Sequence, residues 1–249
     1  MTNNALIGTW VTLNHPSIAE IMADAGFDWI CVDMEHSVTD YAEAQLLIMA
    51  IQGKGVKAFV RVGENKARII KRVLDAGADG IIVPSVSSKE EAIKAVNAVK
   101  YPPLGTRGVG LARAQSYGFD FENYRDNKTK DIKLIVQIEH INAVKELESI
   151  INVDGIDGTF IGPYDLSGSM GKPGQYDDED VIKVLNDYKT IAKKHDKLIG
   201  YHVIKPDFQL VHDKVNEGYN FIAFCLDTVF LGTKVREQMS QINLKARKS

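Results

Sequence analysis

Basic residues are in no surplus in this chain. Lysine and arginine number 30 against 33 aspartates and glutamates, a net charge of −3. Nothing here is suited to neutralising a phosphate backbone, so nucleic acid is excluded as an expected partner. Cysteine is nearly absent, with two residues in 249. Cys31 and Cys225 both lie inside apolar runs, so buried free thiols and a reducing compartment are expected. No stretch reaches 18 consecutive apolar residues, and no membrane-spanning helix is expected. The opening MTNNALIGTW lacks a basic segment followed by an apolar core. No signal peptide is read there, and the expected location is cytoplasmic. No histidine–cysteine cluster has the spacing of zinc ligands. The glycine-rich turn of a dinucleotide fold is missing after the first strand, and GTRGVG at 105–110 neither follows a strand nor opens a helix.

What is present is one alternating pattern. Eight β-rich runs, at 6–13, 28–35, 57–62, 80–86, 133–140, 158–166, 197–204 and 220–230, each precede a segment of helical spacing. Their cores are dense in Val, Ile and Phe, as in parallel strands covered on both faces. Ser17, Asn65 and Ser88 are expected N-caps, Ser17 with Glu20 three residues on. Eight βα units in about 250 residues is the arithmetic of a (β/α)8 TIM barrel. With no linker or low-complexity run in between, residues 1–249 are expected to form a single α/β domain. One long connection, 102–130, carries four aromatic residues and three arginines, and is expected to be an ordered excursion.

In a barrel of this kind the C-terminal strand ends build the site. The second strand delivers Asp33, Glu35 and His36; the third, Arg61; the fifth, Gln137 and Glu139; the sixth, Asp165 and Ser167; the seventh, His202; the eighth, Asp227. The loops at the other end, such as GFD, GAD and GYN, look plain. Glu139 and Asp165 each end an apolar run on a carboxylate. Such a pair suits a hard divalent ion such as Mg²⁺ or Mn²⁺; the competing reading is an ion pair with lysine or a helix cap. His36 suits a general acid/base oriented by Asp33 or Glu35, or is an ordinary loop histidine. Arg61 suits a developing oxyanion, or an ion pair with Glu35 or Asp33.

Together, GFDWICVDMEHS, YPPLGTRGVG, VQIEH and VDGIDGTFIGPYDLS resemble the HpcH/HpaI aldolase family of metal-dependent class II pyruvate aldolases, from about Gly8 to the last helix. The resemblance implies a carbon–carbon lyase that cleaves or forms a 4-hydroxy-2-oxo acid through a pyruvate enolate and an aldehyde. It implies a divalent cofactor (Mg²⁺, Mn²⁺ or Co²⁺) on Glu139 and Asp165, His36 as acid/base with Asp33 as partner, and Arg61 steadying the enolate. Gln137 and the backbone of Gly162, Pro163 and Tyr164 would hold pyruvate, with Ser167 beside them and Asp75 in a supporting role. It further implies a homo-oligomer, a hexamer built as a trimer of dimers, with the last helix exchanged between partners. Two positions depart from the family pattern. His202 stands where an apolar residue usually lines the aldehyde side, and Tyr164 replaces a small residue. A polar or protonated His202 would favour an acidic or hydroxylated aldehyde, or a different electrophile. Related enolate chemistry on another oxo acid, by condensation or oxaloacetate-type decarboxylation, is the alternative activity.

Overall fold

A computed structural model describes residues 5–242. The chain alternates β1 (Leu6–Val11), α1 (Pro16–Ala23), β2 (Trp29–Asp33), α2 (Tyr41–Gly53), β3 (Lys57–Arg61), α3 (Ala67–Asp75), β4 (Gly80–Val83) and α4 (Lys89–Val99). After an excursion containing α5 (Phe121–Asp126) come β5 (Lys133–Ile138), α6 (Ile141–Lys145), α7 (Leu147–Ile151), β6 (Gly158–Ile161), α8 (Pro163–Ser169) and α9 (Glu179–Ala192). The last elements are β7 (Leu198–Val203), α10 (Phe208–Asn216), β8 (Phe221–Leu226) and α11 (Asp227–Gln241). Each strand pairs in parallel with the next, and β8 pairs with β1, closing an eight-stranded barrel in sequence order. The expected (β/α)8 single domain is therefore the observed one. Among the described residues no helix is long and apolar enough to cross a membrane.

The strands are buried on both faces, which is why they read as unbroken apolar runs. Their outward residues, with the inner faces of the helices, form one continuous core that includes Ile30, Val32, Leu47, Ile81, Val136 and Ile222. Their inward residues form a second cluster of Trp10, Trp29, Phe59, Phe160 and Phe221. Trp29 stacks on Phe221 with ring centroids 4.1 Å apart. Glycine on neighbouring strands makes room for these rings. A Cβ at Gly80 would fall 2.2 Å from Phe59, and one at Gly200 2.3 Å from Phe160.

Helix starts partly follow expectation. Ser88 caps α4, and Asp40 caps α2 in a reciprocal box with Glu43. The expected Ser17 cap is displaced: His15 is the N-cap of α1, accepting the Ser17 N–H, because Pro16 fills the first helical position without needing a donor. Asn65 does not cap α3 either. Lys66 occupies that place with no side-chain bond, and Asn65 reaches the Glu91 carbonyl instead.

The 102–130 excursion is ordered, as expected. Its buried Arg107 pairs with Asp75 at 2.7 Å, bonds the Tyr124 hydroxyl at 3.1 Å, and lies 4.7 Å from the Tyr101 ring. The connection is thus pinned to the C-terminal end of α3.

Candidate active site

The polar residues that end β2, β3, β5 and β7 meet at one mouth. A cavity of about 410 Å³ there is lined by Trp10, Arg61, Gln137, Glu139, Asp165 and His202, among others. A larger hollow, about 750 Å³, opens at the opposite mouth over Trp29, Phe59 and Phe221. Size alone would favour it, but none of the strand-end residues reaches it.

Asp33 is buried at the last position of β2. It takes a two-pronged bond from Arg61, Nε at 2.9 Å and Nη2 at 2.6 Å. The backbone N–H groups of Glu35 and His36 also donate to it. Burial pushes the carboxyl upward, but the Arg61 hydrogen bond and charge, with the backbone donors, outweigh this and hold it below the ordinary carboxylate range. Arg61 is aimed as well as charged: its guanidinium lies 4.4 Å from the Trp10 ring centroid. Both sequence readings of Arg61 are thus compatible, since the ion pair with Asp33 is also what fixes its direction.

Of the two partners expected for the His36 ring, Asp33 and Glu35, it is Glu35 that lies beside it. Asp33 meets His36 only through its backbone N–H, while His36 Nε2 lies 3.7 Å from Glu35 Oε2. The same Glu35 oxygen is 3.3 Å from Arg61 Nε. Asp33 is committed to the guanidinium, which leaves Glu35 to orient the histidine. Burial first, and the negative charge of Glu139 against the pull of Arg61, raise the Glu35 carboxyl above its usual value.

Glu139 follows β5 and is held from two sides. Ser85, past the end of β4, donates its backbone N–H at 3.0 Å and its hydroxyl at 3.1 Å to Oε2, and Gln137 Nε2 donates to Oε1 at 2.9 Å. Ser85 does this from a left-handed backbone, φ +53°, a conformation that non-glycine residues rarely adopt outside constrained sites. Gly162 backs the same carboxylate, and a Cβ there would come 2.8 Å from Glu139 Cγ. Burial, opposed by Ser85 and reinforced by the charge of Asp165, raises the Glu139 carboxyl. Asp165 lies in the first turn of α8, where Gly162 is the N-cap and Pro163 opens the helix. Tyr164 is 59 % exposed at the rim.

A carboxylate raised partly by the charge of its neighbour, in a donor set made only of hard oxygen atoms, fits a divalent cation. Polar atoms near the cavity floor are also left over. Gln137 Oε1 and the Trp10 indole nitrogen, on side chains that line the cavity, are buried without a hydrogen-bond partner, an arrangement that native sites usually complete with a bound molecule or ion. Among the described residues no group of three or more His, Cys, Asp or Glu is gathered for a metal. A cation on Glu139 and Asp165 would therefore rely on substrate and water for its remaining positions.

Four expected residues stand elsewhere or act otherwise. Asp75 ends α3, away from the mouth, and is taken by Arg107 and Gln115. Within this chain it anchors the excursion and touches no cavity residue. Ser167 is fully buried and absent from the cavity wall; its hydroxyl donates to the Tyr164 carbonyl and accepts the Gly174 N–H, tying down the turn after α8. Asp227 is likewise structural, accepting the N–H groups of Thr12 and Leu13. His202 does line the cavity, but burial, with Arg61 nearby, lowers its pKa to about 4, so the ring is neutral rather than protonated. Sequence reasoning missed Ser85 and Trp10. For Trp10 the signal was available, as an inward position near the end of β1; for Ser85 there was none.

A family model for HpcH/HpaI aldolase/citrate lyase matches residues 6–232. A hydroxypyruvate/pyruvate aldolase of Sagittula stellata is 40 % identical over 228 residues, covering 91 % of this chain and 89 % of its own. A 2-keto-3-deoxy-L-rhamnonate aldolase of Klebsiella pneumoniae is 36 % identical, over 90 % of this chain and 83 % of its own. The crystal structure of a family protein from Burkholderia cenocepacia superposes with a TM-score of 0.91 at 30 % identity, covering 96 % of this chain and 95 % of that one. With the barrel, the paired strand-end acids and the clamped arginine in place, the chain belongs to the HpcH/HpaI aldolase/citrate lyase family.

Proposed function

We propose that this protein is a metal-dependent pyruvate aldolase, cleaving or forming a 4-hydroxy-2-oxo acid at the C-terminal mouth of the barrel. The observation that carries this reading is the placement of Glu139 and Asp165 in one cavity with the Asp33-clamped Arg61 and the half-satisfied Gln137. Glu139 and Asp165 would hold Mg²⁺, Mn²⁺ or Co²⁺. When bound, such an ion supplies Lewis acidity toward the carboxylate and keto oxygens of a 2-oxo acid.

The chain's own groups do the rest. Gln137 and the backbone from Gly162 to Tyr164 seat the pyruvyl end. His36, backed by Glu35, takes the proton of the C4 hydroxyl. The C3–C4 bond then breaks, the aldehyde leaves, and the electron pair passes to the keto oxygen, where Arg61 meets the negative charge. Protonation of C3 gives pyruvate. Asp33 contributes by holding Arg61 still, so that little reorganisation is needed as charge develops.

We also place the protein in the cytoplasm, on the support of two buried free thiols. We infer a homo-oligomer, a hexamer with α11 packed on a neighbouring copy. Leu231, Val235, Met239 and Ile242 form an exposed apolar stripe along and just past that helix, and its only buried residue is Asp227.

The test is exchange of pyruvate methyl protons in D₂O, followed by NMR, with purified protein and each ion in turn. Exchange that needs the ion and Glu139 is expected. Absence of exchange with all three ions would overturn the reading.

A further inference from the structure

The wall of the cavity beyond Trp10 carries an acceptor that the chemistry above does not use. His202 packs against the Trp10 ring at 5.7 Å between centroids, and Arg61 lies over the same ring. His202 is thus one aromatic layer from the residue that meets the developing charge. Its Nε2 lies 3.2 Å from the Cys225 carbonyl oxygen. A carbonyl can only accept, so Nε2 must carry the proton. Cys225 presents that oxygen from a left-handed backbone, φ +56°, a costly conformation for a non-glycine residue and one that fixes the carbonyl. In the neutral ring Nδ1 then bears a lone pair and no proton. Among the described residues no donor reaches it, and it belongs to a side chain that lines the cavity.

We propose that His202 selects the aldehyde: its Nδ1 accepts a hydrogen bond from a substrate hydroxyl, so the site takes short hydroxylated aldehydes in preference to their deoxy counterparts. This rests on the aldolase reading above and narrows its substrate class. A hydroxyl donor satisfies the lone pair, whereas a methyl or hydrogen in its place leaves a buried acceptor unmet. A carboxylate brings a lone pair against a lone pair and is disfavoured there. The cavity's lysines do not reverse this choice. Lys214 is paired with Glu217 at 2.7 Å and lies over Tyr201, and Lys205 is exposed at the rim. Burial and the charge of Arg61 keep the ring neutral, with Asp33 pulling weakly the other way.

The test compares matched aldehydes in condensation with pyruvate: glycolaldehyde with acetaldehyde, and lactaldehyde with propanal. Wild-type kcat/KM should favour the hydroxylated member of each pair by about tenfold or more. In His202→Leu the ratio should fall to near one. In His202→Gln, whose amide can both donate to Cys225 and accept, part of the preference should return. The ratio is read within each protein, so a general loss of activity cancels. Nitrogen-15 NMR of histidine-labelled protein should show His202 as the Nε2–H tautomer at neutral pH. A wild-type ratio near one, an unchanged ratio in His202→Leu, a preference for succinic semialdehyde irrespective of hydroxylation, or a ring protonated at Nδ1 would each overturn the assignment. Wild-type pyruvate proton exchange separates the two levels. Exchange with no hydroxyl preference removes His202 alone, whereas no exchange removes the aldolase reading and this one with it.

Discussion

At the scale of single residues, the site is governed by one buried cation and the acids around it. Arg61 is the partner of Asp33, so Arg61→Ala should act twice. Pyruvate proton exchange should fall by about 100-fold or more, as when a preorganised oxyanion donor is removed. Stability should also drop by about 3–5 kcal/mol, because the buried Asp33 charge loses its partner; urea unfolding reads that loss. The pH dependence has a definite sign. The folded protein holds the Asp33 carboxyl below its unfolded value, which is about 3.9. Its contribution is therefore complete above that value and is lost as pH falls through the lower folded one. The stability gap between wild type and Asp33→Asn should be constant well above that unfolded value and should close as pH falls below it. A gap that widened on acidification would contradict the ion pair. Ser85 gives a gentler test. Ser85→Ala removes the hydroxyl bond to Glu139 and keeps the backbone one, so Mn²⁺ affinity measured by calorimetry should weaken by about tenfold, with the fold unchanged. Glu139, Asp165 and Arg61 were legible in the sequence because charge at the end of an apolar strand is costly and begs a purpose. Ser85 was not, because its role depends on a positive φ that serine does not announce. Ser167 misled for the converse reason. Two residues after Asp165 on a helix, its side chain points to another face.

At the scale of elements, the loops that look plain in the sequence turn out to be the barrel's fasteners. Asp28, Asp79, Asp157 and Asn220 stand just before β2, β4, β6 and β8. Each accepts a backbone N–H from the strand before: Ile7, Ala58, Leu134 and Ile199. The short motifs GFD, GAD, GID and GYN are therefore one device used every second strand. Periodicity within a strand could not reveal it, because the repeat spans a whole βαβα unit. Asp79 is the most engaged of the four, also accepting Gln52 Nε2 at 2.8 Å and meeting Lys57 at 3.3 Å. Asp79→Ala should cost about 1–3 kcal/mol by leaving a buried strand N–H unpaired. It should leave kcat for aldol cleavage near the wild-type value, since Asp79 lies at the mouth remote from the proposed chemistry. Chemical denaturation beside a steady-state assay separates these effects, and a large loss of kcat at full stability would mean that the two mouths communicate. Asp75 belongs to the same lesson. Helices run opposite to strands in a barrel, so an acid at a helix C-terminus is delivered to the fastening end, where Arg107 takes it.

At the scale of the whole molecule, the unresolved charge and apolar balance lies outside the barrel. Leu231, Val235 and Met239 are spaced by four residues each, so they share one helix face, with Ile242 just past the helix end, and each of the four is between 42 % and 56 % exposed. On an isolated barrel such a stripe would be an open apolar patch of the kind that marks an interface. The 102–130 excursion adds Leu104, Leu111 and Phe119, the last 96 % exposed, although its own interior is well satisfied around Arg107. A second copy of the chain is the occupant proposed above for the stripe on α11. Val235→Glu places a charge in the middle of the stripe. If α11 packs on a neighbour, desolvating that carboxylate without a partner costs several kcal/mol per interface. The mass measured by size-exclusion chromatography with light scattering should then fall from the wild-type oligomer toward smaller species. The monomer's far-ultraviolet circular dichroism should stay close to wild type, because Val235 packs on nothing in its own barrel core. A variant that kept the full wild-type mass would show that the stripe is not the contact, and the assembly would have to be sought on the face that carries Phe119.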